Sequence, residues 1–145
     1  MRSSQFRRGQ ASFELAILAP ALILMVLGII ELGRIAHFGI LVNNAARAGV
    51  QYGSQNLVTA IDTSGMQNAA LADGQNIGGL SASATYFCQC SDGTAASCTA
   101  AACSANHRVT YVQVTASGTF STLFHYPRLP SSFALTRTAT LRVPQ

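Results

Sequence analysis

The chain has far less charge than an ordinary soluble domain. Only 10% of its 145 residues are charged, whereas a soluble globular domain usually carries roughly 25%. Lysine is absent, and nine arginines against five acids give a net charge of +4. The arginines are scattered and form no basic patch of the kind that binds nucleic acid, so no nucleic-acid partner is predicted. With 49% hydrophobic residues, much of the surface is expected to face lipid or other copies of the chain.

The sequence also lacks the motifs of common enzymes. No Gly-x-Ser-x-Gly marks a nucleophile, no Gly-Lys-Ser/Thr follows the Gly78-Gly79 pair, and no pair of carboxylates suits general acid–base catalysis. The three histidines are far apart, and only His107 has a cysteine, Cys103, four residues away. The sequence therefore predicts neither an enzyme nor a cofactor or metal site.

Four cysteines, Cys88, Cys90, Cys98 and Cys103, lie within 16 residues of an otherwise cysteine-free chain. An even number in one segment indicates two disulfides and an oxidising compartment. The alternative is zinc, but structural zinc sites usually show paired spacings such as Cys-x2-4-Cys. A Cys88–Cys90 bond is improbable because strand residues two apart are separated by about 6.5–7 Å. A nested pairing, Cys88–Cys103 with Cys90–Cys98, would suit a hairpin and is our expectation.

An uncharged run extends from Leu15 to Ile30 and, with its flanks, from Phe13 to Gly33. As a helix these 21 residues would be roughly 31 Å long, close to the hydrocarbon thickness of a bilayer. The alternative is a cleavable secretory signal, whose apolar region is usually about 7–15 residues. Here the helical pattern continues to about residue 55, because apolar or small residues recur every three or four positions. These residues are Ile35, Phe38, Val42, Ala45, Gly49 and Tyr52.

Proline and glycine residues occur within this predicted helix. Pro20 removes a backbone hydrogen bond and predicts a kink near residues 16–20. The glycines permit close backbone approach in lipid or in a helix bundle, and Ala45, Gly49 and Gly53 have small-xxx-small spacing. Packing against other helices is therefore predicted at Pro20, Gly28, Gly33, Ala45, Gly49 and Gly53.

The remainder of the chain predicts a small β-rich head. Residues 62–77 are predicted to form a short second helix with Asp62 or Thr63 as N-cap, and alternating patterns mark strands. The strands are expected over 82–90, 108–120 and 134–143. The predicted fold is α+β, with a long N-terminal hydrophobic helix, a short second helix and a small antiparallel sheet of three or four strands packed on the outer half of the long helix. The predicted parts are a basic leader (1–9), the helix (10–55) and an extracytoplasmic head (56–145) with a Cys-bearing loop (88–103).

Charge predicts the orientation in the membrane. Arg2, Arg7 and Arg8 precede the apolar run, and the positive-inside rule places that end in the cytoplasm. The head with its cysteines is then outside, as disulfide formation requires. We expect the protein in the inner membrane before assembly and at the cell surface afterwards.

The junction RRGQASFELAILAP resembles the prepilin-peptidase site of type IV pilins. Gly9 would be the last leader residue, Gln10 the new N-terminus and Glu14 the glutamate at the fifth position of the mature chain. Over residues 8–53 the sequence is similar to TadE-like pseudopilins of tight-adherence systems, apart from Leu15, where these families often have an aromatic. The matching positions are Arg8-Gly9-Gln10, Glu14, Pro20, Gly28-Ile29, Glu31, Gly33-Arg34, Asn44–Gly49 and Tyr52.

The resemblance gives the acidic residues of the helix expected roles. A carboxylate at the edge of an apolar run is costly in lipid, and in pilins Glu14 would pair with the N-terminal amine of a neighbouring subunit and set the register. If the leader is retained, its partner would be a neighbour's Arg7 or Arg8, and the alternative to pairing is snorkelling to the interface. Glu31 and Arg34 are three apart and are expected to form an intrahelical, solvated ion pair, with an intersubunit contact as the alternative.

Three functions follow as hypotheses. The first is a structural subunit of a type IV pilin-like filament, with copies of the chain, the inner membrane, prepilin peptidase and the pilus assembly machinery as partners. The second is a minor pseudopilin that primes or caps a filament made by another pilin. The third is a monomeric, membrane-anchored binding module.

Overall fold

The computed structural model describes residues 4–99, 103, 107–124 and 130–144, with the backbone alone for 4–11. The α+β class, the long N-terminal helix and the antiparallel sheet are confirmed, while α2 and β2 were not predicted. The elements are α1 (Ser4–Gly53), α2 (Leu57–Ile61), α3 (Thr63–Asp73), β1 (Ser81–Cys90), β2 (Ala95–Ala96), β3 (Arg108–Ser121) and β4 (Ser132–Arg142).

The chain divides into two compact units, Met1–Ala36 and His37–Gln145. The described part of the first unit is helix α1, which continues through Pro20 without interruption. The second unit, called the head below, begins inside the same helix. Its boundary therefore differs from the sequence boundary drawn at residues 55 and 56, because the last turns of α1 have a folded partner.

The head contains a four-stranded antiparallel sheet of order β2-β1-β3-β4. Strands β1 and β3 pair from Ser81↔Ser117 to Cys90↔Arg108, and β4 covers the other side of β3 from Tyr111↔Arg142 to Ser121↔Ser132. The central strand β3 alternates between buried and partly exposed residues over most of its length. This alternation is expected for a sheet with one face on a core and one in solvent.

The buried face of the sheet packs on the end of α1. Two groups of buried residues form the core, one nearer the start of the head and one nearer Gly53. The first comprises Val42, Ala45, Ala46, Ile77 and Ala116, and the second Val50, Ala60, Met66, Ala70, Ala84, Val112, Val114 and Val143. From Phe38 to Tyr52 the predicted stripe of α1 thus faces its own head, in part through small residues that let the helix and sheet approach closely.

Four glycines of α1 fall into two classes. A Cβ at Gly49 would lie 2.8 Å from the backbone oxygen of Met66 and 3.1 Å from Val114 side-chain atoms, and one at Gly53 would overlap the Met66 side chain. By contrast, a Cβ added at Gly28 or Gly33 would meet no described atom within 4 Å. The expectation that Ala45, Gly49 and Gly53 pack on other helices of an assembly is therefore corrected, because the head of the same chain occupies that side.

The opposite face of the sheet is polar. Three cross-strand pairs between β3 and β4 are hydrogen bonded through their side chains, at 2.9 Å for Thr115–Thr138, 3.0 Å for Ser117–Thr136 and 3.2 Å from Gln113 to Thr140. Such pairs each contribute about 0.2–1 kcal/mol to a sheet. This face is solvated and lies on the side of the sheet away from residues 37–53 of α1.

Two caps fix the short helices after α1. The side chain of Asn56 accepts hydrogen bonds from Val58 and Thr59 backbone N–H groups, while the Thr59 hydroxyl accepts one from the Asn56 backbone N–H, forming a capping box on α2. Asp62 is the N-cap of α3, as predicted. Its carboxylate accepts from the Gly65 N–H at 2.8 Å and from the Tyr52 hydroxyl at 2.9 Å, which ties α3 to the end of α1.

Two disulfides, Cys88–Cys98 and Cys90–Cys103, tie the end of β1 to the segment that follows it. The predicted nested pairing was wrong. Strand β2 returns antiparallel to β1 with Ala96 opposite Cys88, so the chain continues past Cys88 and away from Cys90 as it reaches Cys98. Cys98 is therefore the natural partner of Cys88, and Cys90 is left for the later Cys103.

The close approach at Gly49 generates a stability prediction. In Gly49→Ala the new methyl group meets a backbone oxygen that has little freedom to move, so we expect destabilisation of the head by about 1–3 kcal/mol. Thermal unfolding of the protein in detergent measures this effect. Gly33→Ala is the matched control on the same helix, and equal unfolding temperatures for the two variants would contradict the packing described.

The cap at Asp62 predicts a pH dependence. The pKa of the Asp62 carboxyl is held below its ordinary value of 3.8 mainly by the hydrogen bond from the Gly65 backbone N–H. The hydrogen bond from the Tyr52 hydroxyl is the second cause. A lowered folded-state pKa gives stability that is complete above the unfolded pKa and is lost as pH falls through the folded pKa. We expect the unfolding temperature to fall below about pH 4, and Asp62→Asn, which does not titrate, to flatten this fall. Identical pH profiles for the two proteins would refute the assignment.

The disulfide connectivity predicts thiol counts in paired variants. The double variant Cys88→Ser/Cys98→Ser retains a complete bond and should show no reactive thiol after denaturation without reductant. Cys88→Ser/Cys103→Ser should instead show two, because its remaining cysteines are not partners. Removing either bond is expected to cost about 2–4 kcal/mol of stability. The reverse labelling pattern would restore the nested pairing.

Candidate assembly surface

The first unit presents an apolar surface with no cover among the residues that the structure describes. Twelve large hydrophobic side chains between residues 13 and 32 are each 47–69% exposed. They are Phe13, Leu15, Ile17, Leu18, Leu22, Ile23, Leu24, Met25, Val26, Ile29, Ile30 and Leu32. Because the run includes neighbours in sequence as well as residues one turn apart, the helix is apolar on all sides. A helix of this kind belongs in lipid or among other helices.

The same helix is long and apolar enough to cross a membrane. Its most apolar 18-residue window has a mean hydropathy of 2.6, and only 6% of that window is buried. Low burial distinguishes this segment from the core helix of a soluble protein. By length and composition, this helix of the described part of the chain could therefore cross a membrane, which agrees with the predicted anchor.

Glu14 lies at the N-terminal edge of this surface. It is exposed and lies between the exposed side chains of Phe13 and Leu15. Among the residues that the structure describes, it makes no hydrogen bond or ion pair. We therefore expect that a partner for this carboxylate, in lipid or in an assembly, comes from another molecule.

Glu31 and Arg34 form an ion pair within the helix. Arg34 Nη1 donates to Glu31 Oε2 at 2.9 Å. The side chain of Glu31 is 9% exposed and that of Arg34 is 38% exposed. The expectation of a solvated pair is corrected for Glu31, whose carboxylate is largely buried, whereas the guanidinium remains partly accessible.

The predicted processing site lies within the backbone of α1. Gly9 and Gln10 are helical residues, and the helix passes from the predicted leader into the apolar run without a break. Their side chains are outside the described part of the chain. Cleavage between these two residues remains a prediction from sequence.

Sequence reasoning left the surroundings of Arg47 open. In the head this arginine is exposed and lines a groove of about 360 Å³ between α1 and β4, together with Asn43, Val50, Gln51 and residues 138–141 of β4. The groove follows from the crossing of helix and edge strand. No spacing in the sequence could have located it, because it depends on the register of β4 against β3.

The similarity to known proteins lies within α1. Residues 9–51 match the family model described as TadE-like protein. No curated protein and no solved structure matches the chain. The match confirms the resemblance to TadE-like proteins for this segment. It covers less than half of the chain and ends before α2, so the structure alone describes the rest of the head.

Proposed function

We propose that this protein is a structural subunit of a type IV pilin-like surface filament, assembled by packing of its N-terminal helices. The observation that carries the proposal is the all-round apolar surface of residues 13–32. Before assembly this segment spans the inner membrane with its N-terminus in the cytoplasm. On extraction from lipid, the same side chains are covered by the helices of neighbouring copies.

Apolar burial stabilises the assembly once the helices have left the lipid. Full burial of a Leu, Ile or Phe side chain is favourable by about 1.5–3 kcal/mol relative to exposure in water, and twelve large apolar side chains are available on each copy. The open positions Gly28 and Gly33, where an added Cβ would meet no described atom within 4 Å, allow backbones of adjacent helices to approach closely. Pro20 removes one backbone donor in the same segment.

Glu14 sets the axial register in this proposal. Apolar packing alone permits one long helix to slide along another, since many offsets bury similar areas. A single carboxylate that must meet a positive group removes this freedom, and register is the best-attested role of buried charges. Removal of the leader after Gly9 by a prepilin peptidase would create that positive group, the amine of Gln10, on a neighbouring copy.

A minor pseudopilin that primes or caps a filament of another pilin is the second candidate. The match to a TadE-like family model over residues 9–51 favours it, because this role is usual for TadE-like proteins. A minor pseudopilin would use the same helix and the same glutamate as a structural subunit, but it would be less abundant in the filament. A monomeric membrane-anchored module is the third candidate and needs neither assembly nor a partner for Glu14.

The substitution Glu14→Ala tests assembly through the helices. We expect the protein to reach the membrane normally but its amount in sheared surface filaments to fall by at least about tenfold, since leaving a buried charge unpaired costs about 3–5 kcal/mol. Asp73→Ala, which removes an exposed acid from the head, is the control and should assemble normally. Unchanged assembly of the Glu14 variant would eliminate the register role.

The intact mass of the protein in that sheared fraction tests processing. Under non-reducing conditions we expect an abundant species that lacks residues 1–9 and carries both disulfides. A full-length species would retain the filament but exclude cleavage after Gly9. A trace amount would indicate the minor pseudopilin, and absence from the fraction would indicate the monomeric anchor.

A further inference from the structure

The groove between α1 and β4 carries positive charge and no acidic residue. Its lining residues are Asn43, Arg47, Val50 and Gln51 of α1 and residues 138–141 of β4. The Arg47 side chain is exposed, and it makes no hydrogen bond or ion pair with the described residues. Neither residues 37–53 nor residues 131–144 include an acid, while β4 contains Arg137 and Arg142. The charge of Arg47 is therefore not neutralised by either wall of the groove.

The unpaired edge of β4 borders the same groove. Among the described strands, β4 is the last of the sheet and pairs with β3 alone. The Val143 N–H donates to the Thr110 oxygen at 2.9 Å, one step beyond the Tyr111↔Arg142 pair. Because backbone groups alternate in direction along a strand, the odd-numbered residues of β4 bond to β3. The N–H and C=O groups of Thr138, Thr140 and Arg142 therefore point to the free edge.

Arg137 covers the free edge at one point only. Its Nη1 donates to the backbone oxygen of Thr136 at 3.1 Å, and its Nη2 lies 3.4 Å from the position of a Cβ added at Gly39. A charged side chain on the inner face is one means by which proteins block an edge strand. Arg47 is two turns further along α1 than Gly39, about 12 Å away. The edge is thus blocked at Thr136, whereas beside Arg47 no described residue bonds to its outward-pointing groups.

We propose that the free edge of β4, from Thr138 to Arg142, binds an extended segment of a partner protein that carries an acidic side chain, and that this acid pairs with Arg47. The segment adds to the sheet as a further strand, a recognised mode of peptide binding in which backbone hydrogen bonds supply affinity and alternate side chains supply specificity. This contact goes beyond the proposed function, because it requires one copy of the chain and no filament.

The side chains of the groove decide which segment fits. An added strand presents every second side chain to the α1 side, where the groove contains buried Val50 and the 40% exposed side chain of Leu141 as well as Arg47. An acid with apolar residues two positions before and after it matches this combination. A carboxylate and a guanidinium form charge-assisted hydrogen bonds, whereas a basic segment would be repelled by Arg47. Charge complementarity therefore selects an acidic segment.

Titration of the full-length protein in detergent with a synthetic peptide tests this contact by NMR. The peptide is acetyl-Thr-Val-Thr-Glu-Thr-Val-Thr-amide, in which one strand face carries the acid between two valines. We expect the amide signals of Thr138, Thr140 and Arg142 to shift saturably at millimolar peptide, and their hydrogen exchange to slow by at least about fivefold at saturation. The amide signal of Val58, an exposed residue of α2, should not move. Absence of saturable shifts along β4 would overturn the proposal.

Two matched changes separate the ion pair from the strand pairing. Arg47→Gln in the protein, or glutamine for glutamate in the peptide, should each weaken binding by about threefold or more, and the two together should weaken it no further. The unfolding temperature of Arg47→Gln should be unchanged, because the side chain is exposed. If the glutamine peptide binds as tightly as the parent peptide, the role of Arg47 is wrong.

A peptide whose alternate backbone amides are N-methylated, on the side that would face β4, tests the strand pairing. This peptide keeps the acid but cannot donate hydrogen bonds to β4, so we expect it not to bind. Equal binding of the methylated and parent peptides would show a site for carboxylate alone and would overturn strand addition. All of these titrations use single copies of the chain, so their failure is distinct from a failure of filament assembly.

Discussion

The head depends on the close packing of one short stretch of helix against one strand. Between His37 and Gly53, helix α1 lies on the buried face of β3, with Gly49 and Gly53 at the points of nearest approach to Met66, Val112 and Val114. Methyl-sized and smaller residues there let the strand and α3 reach the helix backbone. The sheet, the two short helices and the disulfide loop are all connected to this contact through β3 or Met66.

One continuous helix therefore serves two environments. Up to about residue 32 its large apolar side chains are exposed on all sides, whereas from residue 38 its apolar side chains lie mainly on one face. The change from all-round to one-sided hydrophobicity is what a segment first in lipid and then against a protein core requires. Four glycines follow the same division: a Cβ at Gly49 or Gly53 would meet atoms of the head, whereas one at Gly28 or Gly33 would meet no described atom within 4 Å.

The chain has few charged residues, and the two acidic residues of α1 have different surroundings. Glu14 has no partner among the described residues, while Glu31 is held by Arg34 at 2.9 Å. Both acids lie on the same helix, and their difference is local: one has a cation three residues away, and the other has only apolar residues directly beside it. The Glu14 carboxylate is thus the feature of the apolar surface that can distinguish one offset between copies from another.

Periodicity and composition by themselves determined the long helix, its apolar first half and the positions of the three long strands. They also favoured disulfides and limited the N-cap of the second predicted helix to Asp62 or Thr63. These properties depend on residues close in the chain, and local patterns report them directly. The tertiary structure decided which cysteines pair, because the register of β2 on β1 brings Cys98 towards Cys88. It also decided that Ala45, Gly49 and Gly53 pack on the head, and that Leu57, Val58 and Ile61 face outward around a buried Ala60. Each of these outcomes depends on which distant segment packs on a given side of a helix or strand. The sequence pattern of that helix or strand would be the same for any such segment, so the pattern does not reveal which segment packs there.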